Sequence, residues 1–134
     1  MSALRIALLA GLALTAVGCT ETKEQAARNQ AAVDRDLADA LKGREPGQPQ
    51  DCLSNFDMTN GPRVVGNSTI LYNSGRTIWR TDVVCPGMRD GDTLIVELHG
   101  SQLCRNDRFR ALTPGTSIPG PFCMMGQFTP YRKP

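Results

Sequence analysis

The chain of 134 residues has one histidine, one tryptophan and an aromatic content of only 5%. With a single imidazole, His99, it offers little for general acid–base catalysis. Neither sign of charge dominates, since 15 Lys+Arg against 13 Asp+Glu leave a formal charge of +2. That balance excludes a protein whose affinity comes from neutralising many phosphates, so no nucleic-acid partner is expected. Glycine-rich phosphate loops, serine nucleophile elbows and internal repeats are absent. The length fits one ordinary domain and not a multi-domain enzyme. No cofactor is expected.

What is present begins with an address. Arg5 precedes the uncharged run Ile6 to Val17, which is shorter than the roughly 20 apolar residues that span a bilayer and reads as a secretory signal peptide. The run ends Leu14-Thr15-Ala16-Val17-Gly18-Cys19, which resembles the bacterial lipobox, with Ala16 where leucine is usual. The resemblance implies that residues 1–18 are removed and that Cys19 receives a diacylglycerol and becomes the new N-terminus. It also implies an envelope protein anchored to a membrane and facing the periplasm. Thr20, standing where aspartate would retain a lipoprotein at the inner membrane, implies the outer membrane. Ala16-Val17-Gly18 equally suits ordinary signal peptidase, which would release a secreted protein.

Setting Cys19 aside turns five cysteines into four: Cys52, Cys85, Cys104 and Cys123. In an oxidising compartment, four thiols within a small exported domain predict two disulfides. Three pairings are possible; Cys52 with Cys123 and Cys85 with Cys104 is the expected one, on the ground that a compact sheet brings its first and last strands together. Zinc sites present sulfurs in Cys-x2-4-Cys pairs, and none exists here. No metal is expected.

Residues 19–51 read as a lipidated cysteine, a helical spacer and a linker. Val33, Leu37, Ala40 and Leu41 form a modest helical stripe, with Thr20 or Thr22 as N-cap and Gly43 as the stop. The spacing suits a solvated spacer, or a helix that packs on the domain or on another chain. Gly43 to Gln50 has two prolines and two glycines and reads as a linker. Residues 20–51 carry five basic and seven acidic side chains, and residues 52–134 nine and six. This change of sign marks the boundary at Cys52.

Beyond it, short runs rich in Val, Ile, Thr and aromatics alternate with turn clusters. The predicted fold of 52–134 is mainly β: a small rolled meander or barrel of five to six short strands, held by disulfides. Ser68 to Tyr72 and Thr77 to Val84 flank a hairpin turn. Thr93 to His99 alternates with Leu94, Val96 and Leu98 on one face, Arg108 to Leu112 is another strand, and Phe122 to Tyr131 closes the domain. Trp79 and Phe122 are expected in the core.

The ordered series Cys52, Ser68-Thr69-Ile70-Leu71-Tyr72, Trp79-Arg80, Cys85-Pro86-Gly87, Gln102-Leu103-Cys104-Arg105-Asn106-Asp107 and Cys123-Met124-Met125-Gly126-Gln127-Phe128 resembles a proteobacterial family of small exported four-cysteine domains of unknown function. The resemblance covers about residues 52 to 131. It implies export and disulfides and supplies no mechanism.

Among candidate sites, Asp107 is expected to cap a turn. Asp90 and Asp92 are expected in a solvent-exposed turn, because Ser101 stands where a calcium loop needs glutamate. Arg105, Arg108 and Arg110 are the candidate anion-binding residues, since guanidinium engages phosphate and carboxylate through paired hydrogen bonds. The expected function is a non-enzymatic binding or structural module of the envelope, anchored by lipid and contacting an envelope protein, peptidoglycan or lipopolysaccharide. The alternative is a small envelope enzyme or thiol-redox protein using Cys104, Asp107 or His99. No catalytic residue is assigned.

Overall fold

A computed structural model describes residues 21–134; residues 1–18, read above as a signal peptide, and Cys19 and Thr20 lie outside the described residues. Helix α1 covers Lys23–Ala40, and ten strands follow. These are β1 (Glu45–Pro46), β2 (Cys52–Ser54), β3 (Pro62–Val65), β4 (Thr69–Ser74), β5 (Thr77–Asp82), β6 (Thr93–Val96), β7 (Gln102–Cys104), β8 (Arg108–Leu112), β9 (Cys123–Met124) and β10 (Thr129–Arg132). They form three antiparallel groups: a five-stranded sheet in the order β1-β10-β5-β4-β3, a three-stranded sheet β6-β8-β9 and a ribbon β2-β7.

Among the described residues the fold is mainly β, with nine strands from Cys52 onward in place of five to six, β1 added before that boundary, and no closed barrel. The excess comes from strands of two to four residues, too short for a period-2 pattern to register in sequence. The expected last strand divides into β9 and β10, which belong to different sheets. All three groups contribute to one core, including Leu53 of β2, Val64 of β3, Tyr72 of β4, Trp79 of β5, Leu103 of β7, Phe109 of β8 and Phe128 before β10.

The β4–β5 hairpin follows from its sequence. Ser74 pairs with Thr77, leaving a two-residue loop in which Gly75 takes φ +55°, a conformation that costs glycine no Cβ clash. Ile70 and Tyr72 on β4, and Trp79 and Thr81 on β5, are buried. In β6, Leu94 and Val96 pack on the core as expected. Leu98 is exposed, because the strand ends at Val96.

The segment read as a linker is part of the sheet. Glu45 and Pro46 pair with Arg132 and Tyr131, Gly47 donates its N–H to the Pro130 carbonyl at 2.7 Å, and Gln50 and Phe128 exchange both backbone bonds at 2.9 Å. β1 is an edge strand, the position where a proline costs no central ladder bond.

Helix α1 starts where the Thr22 hydroxyl accepts the Gln25 N–H at 3.2 Å, a side-chain N-cap. No residue of the helix is buried, yet its C-terminal half packs on β3. Asp36 takes Arg63 through both carboxylate oxygens at 2.6 Å. Val33 lies over Gly66, where any Cβ would come within 2.8 Å of Val33 Cγ1.

Candidate functional site

All four cysteines expected to form disulfides do so, in a different pairing. Cys52 bonds Cys104 and Cys85 bonds Cys123. The expected pairing fails because the strand that meets the end of the chain is β1, while Cys52 lies on β2 directly opposite Cys104 on β7. Cys85 follows β5 and is brought against β9, where Cys123 points into the core. The two bonds differ in setting: Cys85 and Cys123 are 6% and 5% exposed, whereas Cys52 and Cys104 are half-buried.

The three candidate arginines divide. Arg105 sits in the turn after β7, where its side chain pairs with Asp51 at 3.4 Å. Arg108 and Arg110 are two apart on β8, and strand alternation puts them on one face, opposite buried Phe109 and Ala111. Arg108 pairs with Glu97 at 2.8 Å. Arg110 donates Nε–H to the Gly120 carbonyl at 2.7 Å and Nη2–H to the Pro119 carbonyl at 3.1 Å, tying the loop 113–122 to the sheet.

Both guanidiniums lie over the ring of Phe122, 4.9 and 5.0 Å from its centroid, within cation–π range. Phe122 therefore departs from the expected core position. Cys123, fixed inward by its disulfide, sets the parity of β9 and turns its neighbours Phe122 and Met124 outward. The outward face of the three-stranded sheet thus carries Ile95, Phe122 and Met124, which are 43%, 54% and 60% exposed, around two arginines. The alternation of Arg108 and Arg110 was the available signal; nothing in the sequence attached Phe122 to them.

The remaining candidates serve the fold. Asp107 accepts the Cys104 N–H at 2.7 Å, the expected turn cap. Asp90 accepts the Gly66 N–H at 3.0 Å. Asp92 differs from its exposed expectation: it is 5% exposed, because Oδ2 caps the Arg89 N–H at 2.9 Å inside the turn, and Oδ1 has no partner. Asp92 also lines a shallow cleft of about 510 Å³ with Pro86, Thr113, Thr116 and Ile118. His99 is exposed in the bend after β6. Among the described residues no cluster of three His, Cys, Asp or Glu side chains could hold a metal.

Sequence reasoning missed Asp57. This carboxylate accepts the Ser54 hydroxyl at 2.6 Å and the Ser74 hydroxyl at 2.9 Å, joining the 3-10 turn Asn55–Met58 to the end of β4. The Ser54 hydrogen bond, aided by Ser74 and opposed by partial burial, holds its pKa below the ordinary 3.8.

Fold and site together define a disulfide-stapled, mainly β domain with an arginine-flanked aromatic on one sheet face. Comparison with protein-family models, curated proteins and solved structures finds no match.

Proposed function

We propose that this chain is a lipid-anchored, periplasm-facing envelope protein whose β domain acts as a non-enzymatic binding or structural module, probed first at its chain ends and thiols. The observation that carries the reading is cysteine use. Once Cys19 is set aside for the lipid, every remaining thiol is committed to a disulfide, which requires an oxidising compartment to form and persist. The lipobox-like run before Cys19 supports the anchor, and Thr20 supports the outer membrane. Among the described residues no helix is long and apolar enough to cross a membrane. The groups proposed for chemistry support a structural role, since Asp107 is spent on a backbone N–H and Cys104 on a disulfide. Envelope protein, peptidoglycan or lipopolysaccharide is the class of partner.

The half-exposed setting of Cys52–Cys104 favours a second reading, a thiol-redox protein that exchanges this bond with a partner dithiol. One experiment addresses both. Intact mass of the protein from native envelopes, alkylated with and without prior reduction, should give a triacylated chain beginning at Cys19 with four thiols appearing only after reduction. An unlipidated chain overturns the anchor. Two thiols labelled at Cys52 and Cys104 before reduction would favour the redox reading.

A further inference from the structure

We propose that the outward face of the β6-β8-β9 sheet docks on an anionic lipid surface. Its apolar side chains would enter the headgroup layer while Arg108 and Arg110 take lipid phosphates. The face consists of two rows across the strands, Ile95–Arg110–Phe122 and Glu97–Arg108–Met124. In each row an arginine stands between its neighbours.

Charge identifies the occupant. Arg110 has no carboxylate partner among the described residues, and its hydrogen bonds go to two neutral carbonyls. It therefore keeps a full positive charge on a face whose sole carboxylate, Glu97, is engaged by Arg108. The same carbonyls and the Phe122 ring hold its guanidinium in place, which lowers the entropy lost when an anion binds. Each arginine retains Nη1 free of the hydrogen bonds described, leaving donors for a phosphate oxygen.

The three exposed apolar side chains choose between anions. A free phosphate would use the guanidiniums alone. An anionic bilayer uses both, with apolar groups buried at the acyl boundary and cations at the phosphates. A second copy of the chain fits poorly, because stacking this face on itself would oppose two uncompensated Arg110 cations. The proposal rests on the envelope reading for the source of the bilayer. Beside that bilayer, an anchored domain would need little intrinsic affinity.

The test uses chain beginning at Thr20 without acylation, which keeps α1, all ten strands and both disulfides. Binding is measured by flotation with phosphatidylcholine vesicles, with and without phosphatidylglycerol. Binding should require phosphatidylglycerol and weaken as salt screens the arginines. Arg108→Gln, at an exposed position, should reduce binding about fivefold. Phe122→Ser with Met124→Ser should reduce it at least about tenfold. Unchanged melting and intact disulfides in each variant exclude misfolding, and Arg108→Gln decides the matter if the double variant fails to fold.

Equal binding to both vesicle types, or variants that bind like wild type, overturns the proposal. So does inorganic phosphate competing fully at the same site with no contribution from Phe122 and Met124, which would mark a simple anion site. Dimerisation that the variants abolish would assign the face to a second copy instead. None of these outcomes depends on the acylation of Cys19, which the intact mass reads separately.

Discussion

Deleting the disulfides one at a time sets chain entropy against burial. Cys52–Cys104 closes a separation of 52 residues and Cys85–Cys123 one of 38, so the chain-entropy model assigns each about 4 kcal/mol. Any difference between them must then come from the folded state. Cys85 and Cys123 lie in the core beside Phe109 and Met125, whereas Cys52 and Cys104 are half-buried at a strand pair. In Cys85→Ser/Cys123→Ser, two hydroxyls replace sulfur in that core, and a buried hydroxyl without a partner costs about 1–3 kcal/mol. Cys52→Ser/Cys104→Ser leaves its hydroxyls within reach of water. The first variant should therefore lose roughly 6 to 10 kcal/mol and the second about 4, against a total of about 5–15 for a domain. Urea unfolding of the oxidised proteins measures this; at a slope of about 2 kcal/mol/M the Cys52/Cys104 variant should shift its midpoint by about 2 M. Replacing both buried cysteines by alanine should recover part of the extra loss. The reasoning is refuted if removing Cys52–Cys104 costs as much as removing Cys85–Cys123.

Further outcomes follow from individual contacts. Gly126→Ala puts a Cβ into the Asp82 carbonyl oxygen and 3.0 Å from Thr81 Oγ1; backbone cannot step aside cheaply, so thermal unfolding should show a loss of at least about 1–3 kcal/mol. The Tyr72 hydroxyl is buried without a partner, so Tyr72→Phe should be neutral or stabilising in the same assay, and a clear loss would reveal a hidden partner. Asp57 has a folded pKa below 3.8, so its contribution is full above the unfolded value and is lost as pH falls through the folded one. Acid titration of stability should therefore be shallower below about pH 4 in Asp57→Asn. Gly66→Ala meets Val33 at 2.8 Å and must adopt φ +65°, so hydrogen exchange should show α1 released from β3.

The sequence reading succeeded where an element is long enough to carry its own pattern. The β4–β5 hairpin has six-residue strands and a glycine in its turn, and β8 shows the alternation of Arg108, Phe109, Arg110 and Ala111 in full. β1, β2, β7 and β9 have two or three residues each; nothing local distinguishes them from loop, and the pairings β1–β10 and β2–β7 join segments remote in sequence. Pro46 and Gly47 are turn formers by type, and only the edge position beside β10 places Pro46 in a strand and gives the Gly47 N–H its partner in the Pro130 carbonyl. Disulfide pairing was hidden for the same reason, because it depends on which strands adjoin. Phe122 shows the limit most directly. Its composition points inward, but the parity of its strand is fixed by the partner of Cys123. Of the three arginines, the pair two apart on a strand shares a face, and Arg105, three residues before Arg108 and across a turn, does not.

If residues 19–51 tether the domain as proposed, the docked helix changes what that tether does. Val33 and Asp36 are its contacts to Gly66 and Arg63, both in its C-terminal half, whereas the residues before Val33 are exposed, and Ala26, Asn29 and Gln30 line an open cleft of about 800 Å³ with Asn67 and Arg89 of the domain. Among the described residues no hydrogen bond or ion pair ties that half to the domain; its own are the Thr22 cap and pairs such as Glu24–Arg28 at 3.5 Å, each worth a few tenths of a kcal/mol to about 1. An isolated helix of such length is marginal in water. Order should therefore decline from the Asp36–Arg63 pair towards Lys23, so that the helix behaves as a stiff bracket at β3 and a more compliant one at its N-terminal end. On the anchored reading proposed above, such a bracket restricts the orientations available to the domain while leaving its distance from the anchor adjustable over the stretch Lys23 to Ala32, about 15 Å at 1.5 Å per residue. A fully flexible linker would let every face of the domain sample a nearby bilayer equally. A bracket docked on β3 biases which face does so, and Arg63 and Gly66 are the residues that set the bias.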